Sequence, residues 1–138
     1  MPFTPRFYWT CLALLLLTSS FLGCGRGTGP RRYDISGQVT YQGAPVPLGE
    51  ISFDPVDQEY GGGYASIQDG RFDTSADGGR GHLGGPHQVR IVGFEGTFDP
   101  AQADDAAVSA LFSPYETTVE LPTGRSTMDF EVPADAGP

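Results

Sequence analysis

The chain has 138 residues, with eight arginines, no lysine and 17 carboxylates, giving a formal charge of −9. That length accommodates one domain, and the acidity excludes a nucleic-acid binder, because a phosphate backbone is held through basic patches. Both cysteines, Cys11 and Cys24, fall within the first 24 residues, which excludes a disulfide framework for the rest.

The N-terminal segment is the most informative. Arg6 supplies a basic start, Phe7 to Leu17 forms an uncharged apolar core, and Thr18-Ser19-Ser20 leads into Phe21-Leu22-Gly23-Cys24. Three readings compete: a lipoprotein signal ending before Cys24, a plain secretory signal, and an uncleaved anchor. The core is about eleven residues, whereas a membrane-spanning helix needs roughly 20, which argues against the anchor. Plain secretion leaves Cys24 as an unexplained thiol. The segment resembles a bacterial lipobox, with Phe21 standing where an aliphatic residue is usual. The resemblance implies cleavage after residue 23 and lipid on Cys24, so the protein's partner there is the membrane itself. Gly25, rather than Asp, after the cysteine is similar to lipoproteins sent to an outer rather than an inner membrane.

Residues 24–32 form a tether of glycine, threonine, proline and arginine without apolar periodicity. All 17 carboxylates follow Cys24, against seven arginines, so the mature part carries −10. Such acidity keeps a surface protein soluble.

From Tyr33 the pattern is period two, the mark of a half-buried strand. Tyr33, Ile35, Gly37, Val39 and Tyr41 share one face, and Gln42-Gly43-Ala44-Pro45 turns the chain. A second strand sends Ile51 and Phe53 inward and Glu50, Ser52 and Asp54 outward, ending at Pro55. After a charged glycine loop, Ala65 and Ile67 alternate with Ser66 and Gln68. Asp69-Gly70 is a strong hairpin signal, with Phe72 buried on the return. Ser75 to Pro86 reads as a glycine loop, and Gln88 to Phe94 as a strand. Asp99-Pro100-Ala101-Gln102 has the chemistry of a helix start, predicting a short helix or helical turn whose Val108, Leu111 and Phe112 share one side and lay it against the sandwich edge. Thr117, Val119 and Leu121 line another strand, and Met128, Phe130 and Val132 the last one.

These strands predict an all-β fold, a single antiparallel β-sandwich of about seven strands with one short helical insertion. The domain covers residues 33–133 and residues 134–138 form a fraying tail. The runs Ser36-Gly37-Gln38-Val39-Thr40-Tyr41-Gln42-Gly43-Ala44-Pro45, Ile51-Ser52-Phe53-Asp54-Pro55, Asp69-Gly70-Arg71-Phe72 and Gly84-Gly85-Pro86-His87-Gln88-Val89-Arg90-Ile91 resemble carboxypeptidase regulatory-like, or transthyretin-like, domains. More narrowly, the chain resembles small planctomycete lipoproteins of that type. The resemblance implies a prealbumin-like or Ig-like sandwich without peptidase activity. Family members usually carry a tyrosine near the position where His87 and Gln88 stand.

No reactive constellation is visible. The mature chain has no cysteine besides Cys24 and no G-x-S-x-G elbow, so catalysis is not expected. His82 and His87, five apart, lack the further ligands of a zinc site and read as exposed loop residues. Asp54, Asp57 and Glu59 crowd one loop, and Asp73 and Asp77 another. Either they are solvated acidic loops or they lend oxygens to calcium, although no EF-hand pattern is present. Tyr60 and Tyr64 bracket Gly61-Gly62-Gly63 and are the candidates for an aromatic ligand platform. The sequence thus leaves two readings open, neither needing a cofactor: a lipid-anchored module that meets other envelope proteins, or a surface module that binds a small ligand or glycan, with or without calcium.

Overall fold

The computed structural model describes residues 29–57, 60–96 and 109–137. The signal segment, Cys24 and Glu59 lie outside the described residues. Among the described residues nine strands follow in order: β1 (Ile35–Tyr41), β2 (Ala44–Pro45), β3 (Leu48–Pro55), β4 (Gly63–Gln68), β5 (Arg71–Asp73), β6 (Gly85–Phe94), β7 (Tyr115–Leu121), β8 (Ser126–Thr127) and β9 (Phe130–Val132), then a 3-10 turn at Ala134–Ala136. Among the described residues no helix is long and apolar enough to cross a membrane.

The all-β class holds, and the arrangement is one mainly antiparallel sheet curled into a half-barrel. Its order is β2-β1-β5-β4-β3-β6-β7, with β8 and β9 pairing β1 in parallel. β1 is shared between two groups of partners, β5 and β8 along residues 35–38 and β2 and β9 along residues 39–41. The Asp69-Gly70 hairpin, both residues at positive φ, keeps β4 and β5 paired at Gln68 and Arg71. Gly70 also packs too closely on Pro45 to accept a side chain. A second two-residue turn, Gln42-Gly43, joins β1 to β2 with the same positive φ pair.

Alternation fills the concave side. Ile51 and Phe53 from β3, Ala65 and Ile67 from β4, and Val89 and Ile91 from β6 are all buried, and Ile35 and Val39 of β1 complete the layer. Phe53, Phe72 and Phe130 form a ring cluster with centroids 6.0–6.3 Å apart in tilted geometry, the arrangement aromatic quadrupoles favour. At Gly37 the β1 backbone passes so near the Met128 carbonyl that a Cβ has no room, which lets the segment carrying β8 and β9 lie against β1.

The predicted helix over Asp99–Phe112 lies largely outside the described residues, and its described end is extended. Ala110 bridges Phe94, Ser109 O accepts from Glu95 N at 2.9 Å and Leu111 N donates to Gly93 O at 2.9 Å. Pairing with the end of β6 satisfies this backbone and drops Phe112 into the core against Tyr41, ring centroids 5.0 Å apart. Val108 lies outside the described residues. After β9, Ala136 O accepts from Ser113 N at 2.7 Å, linking the two ends of the half-barrel.

Candidate functional site

The alternation that buries the concave side gives the convex side a polar surface. Where β1, β5 and β4 meet, Ser36, Gln38, Ser66, Arg71, Asp73 and Asp129 border an open groove of about 880 Å³. Two of its carboxylates are engaged locally. Asp129 Oδ1 accepts from Gln38 N at 2.9 Å. Asp73 Oδ1 accepts from Ser75 Oγ at 2.6 Å and Ser75 N at 2.8 Å, and those bonds hold its pKa below the usual carboxylate value. Of the calcium candidates, Asp73 and Asp77 both border this groove, whereas Asp54 and Asp57 are exposed at the far end of β3. Among the described residues no group of three or more His, Cys, Asp or Glu side chains converges as a metal site would require.

A second locus is built where the tether meets the domain. Arg32 reaches across the chain, its Nη2 donating to Gly61 O at 2.7 Å and its Nη1 to Gly81 O at 2.7 Å and Gly62 O at 3.4 Å. The next residue continues the attachment, because Tyr33 and His82 exchange both backbone hydrogen bonds at 2.9 and 3.0 Å. The Arg31 guanidinium lies 5.5 Å from the Tyr33 ring centroid, within cation–π reach. Partial burial and the nearby Arg80 charge lower the Arg32 pKa from its ordinary value, and the carbonyl oxygens supply the compensating negative dipoles. The same end of the molecule carries the exposed aromatics. Tyr60 is 59% exposed and Tyr64 43%, the latter on the outward face of β4 where its backbone pairs with Arg80.

The third locus is a correction. His82 and His87, expected in an exposed loop, are both fully buried. Their rings meet edge to face with centroids 5.7 Å apart. His87 stands on the inward side of β6, in the same alternation as Val89 and Ile91. His82 is drawn in by its ladder with Tyr33, whose ring lies 6.0 Å from it. Each Nδ1 is tied to the intervening backbone: His82 Nδ1 accepts from Gly84 N at 3.0 Å, and His87 Nδ1 meets Gly85 O at 3.0 Å.

That tautomer decides the chemistry. With Nδ1 of His82 accepting, its proton sits on Nε2, which has no partner among the described residues and offers no lone pair to a metal. Burial first, and the neighbouring His87 second, push the His82 pKa down to about 4, against a smaller opposing pull from Asp34. Among the described residues neither imidazole hydrogen-bonds to a serine, threonine or carboxylate side chain, so the pair does not form a nucleophile–base dyad.

No protein-family model matches the chain, and no curated protein matches it.

Proposed function

We propose that the chain is a non-catalytic, lipid-anchored module of the bacterial cell envelope, of the carboxypeptidase regulatory-like sandwich type, that meets other envelope proteins through its folded surface. The observation that carries this reading is the Arg32 clamp, formed eight residues after Cys24. A signal with an anchoring cysteine is followed by a short tether, and the tether ends in a side chain fixed to two loops of the domain. Eight extended residues reach at most about 28 Å, so the domain is held close to the bilayer. Two or three acyl chains, at about 0.8 kcal/mol per buried methylene, make such an anchor effectively permanent. The net acidity suits a surface that repels anionic neighbours and remains available to selected partners.

The test is the full-length protein expressed in a bacterial host beside its Cys24→Ala variant. Wild type is expected to gain an acyl mass increment and to partition into detergent, and the variant to do neither. A soluble, unmodified wild-type product cut at another site would sink the anchor.

One observation favours a second reading, a small-ligand or glycan platform: Tyr60 and Tyr64 are exposed at the same end of the molecule. Retention on immobilised cell-wall glycan that disappears in Tyr60→Ala and Tyr64→Ala would select it, and sensitivity to a chelator would bring in calcium at Asp54 and Asp57.

A further inference from the structure

The geometry points to β7 as a docking edge that accepts, as an added antiparallel strand, an extended segment of a partner protein in which apolar residues alternate with lysine or arginine. This deepens the interaction-module reading and rests on it.

The strand is seven residues long and pairs on one side only, with β6, from Tyr115 opposite Ile91 to Leu121 opposite Gly85. Among the described residues its other side has no backbone partner, since no loop or turn hydrogen bond involves residues 115–121. Edge strands are ordinarily blunted by bulges, proline, charged side chains or brevity. Within Tyr115–Leu121 there is no proline, the register to β6 runs residue for residue without a bulge, and the charged groups are Glu116 and Glu120, both acidic, which repel acidic strands and leave the edge open to basic ones. The opposite boundary of the sheet is protected: β8 and β9 are two and three residues long, broken at Met128-Asp129, and β2 contains Pro45.

The two faces of β7 state what the added strand must carry. Tyr115, Thr117 and Val119 are half-buried on the concave side, with Tyr115 and Val119 packed against the core but incompletely covered. Apolar side chains opposite them would finish that cover. On the convex side Glu116, Thr118 and Glu120 are exposed. Glu116 is held upright by Gln88 Nε2 at 3.0 Å and by Arg90 at 3.6 Å, both on β6, and among the described residues Glu120 has no cationic partner. Opposite charges facing each other across an antiparallel pair stabilise it, and like charges disrupt it.

That rule also argues against a second copy as the occupant. A two-fold pairing centred on Thr118 sets Glu116 of one chain opposite Glu120 of the other, twice, in molecules that already carry a net negative charge. A basic, alternating segment meets the same edge with both glutamates paired.

The test uses the full chain in detergent and amide hydrogen exchange read by mass spectrometry, with the capped peptide GKVTVKVG as probe and GEVTVEVG as its charge-reversed control. Expected is at least about tenfold slower exchange confined to Tyr115–Leu121 with the basic peptide, and about tenfold weaker binding of the acidic one. A Glu116→Lys/Glu120→Lys double variant should exchange these preferences, which unfolding would not produce. No protection of β7, equal protection by both peptides, or protection without peptide accompanied by dimerisation would each overturn the proposal. The assay does not pass through Cys24, so the docking edge and the lipid anchor can fail separately.

Discussion

His82 makes the fold sensitive to acid in a window that can be worked out. Its pKa lies near 4 in the fold, lowered mainly by burial, against 6.5 for the free side chain. Well above pH 6.5 the ring is neutral in both folded and unfolded chains and contributes nothing to pH dependence. As pH falls below that value the unfolded chain takes up a proton that the folded chain refuses, so stability declines until the folded ring titrates near pH 4. Each pH unit well inside this window costs about 1.4 kcal/mol, so moving from about pH 7.5 to about pH 5 removes roughly 2 kcal/mol. The measurement is the urea midpoint from about pH 7.5 to 5, above the range in which most carboxylates titrate. The comparison is His82→Asn, whose side-chain oxygen replaces Nδ1 as acceptor for Gly84 N. Wild type should lose about 2 kcal/mol across the range, and the variant should give a curve flatter by that amount. Parallel curves for the two proteins would refute the argument, because the remaining titrating groups are common to both.

Gly37→Ala places a methyl group on the Met128 carbonyl and forces β1 away from the segment that hydrogen-bonds it through Met128 N and Ser36 O at 2.9 Å. A loss of about 2–4 kcal/mol is expected, measured by thermal unfolding, and a change under about 0.5 kcal/mol would mean that β8 and β9 do not lie as described. Arg32→Ala releases the clamp without touching the core. The amides of Tyr33 and His82 should then exchange roughly tenfold faster while the circular dichroism spectrum is unchanged, and unaltered exchange would show that the tether is held by the backbone ladder alone.

The strands were legible because burial on one face writes itself as alternation. Ile51, Phe53, Ala65, Ile67 and Phe72 all occupy the inward positions that the pattern assigns, and Asp69-Gly70 turns the chain where its positive-φ chemistry allows. Continuity of the sheet was not legible, because it depends on β1 pairing β5, β8 and β9, segments far from it along the chain. The end of the helix prediction failed for a related reason: local alanine propensity says nothing of an unpaired β6 end waiting for Ala110. His87 carried a signal that a longer view of the strand detects, since extending the β6 alternation two residues back from Val89 places it inside. His82 and Arg32 carried none. Their positions follow from ladders and hydrogen bonds across 49 residues of chain, as between Arg32 and Gly81, and no periodicity encodes those.

The clamp and the open edge bear on each other through the sheet. Gly63 pairs with Phe53, His87 with Pro55 and Val119 with His87, so the Val119–Leu121 end of β7 lies toward the Arg32 clamp and the Tyr115 end lies away from it. A strand added to β7 would therefore run lengthwise from the tethered end to the distal end. Between the two attachments lies a continuous ladder, from β7 through β6 and β3 to β4, whose Tyr64 pairs with Arg80, next to the Gly81 that Arg32 holds. Were the chain anchored at Cys24 as proposed, a partner strand leaving β7 at its Tyr115 end would be pulled from the end opposite the tether, so load along the strand would shear its hydrogen bonds together rather than peel them one at a time.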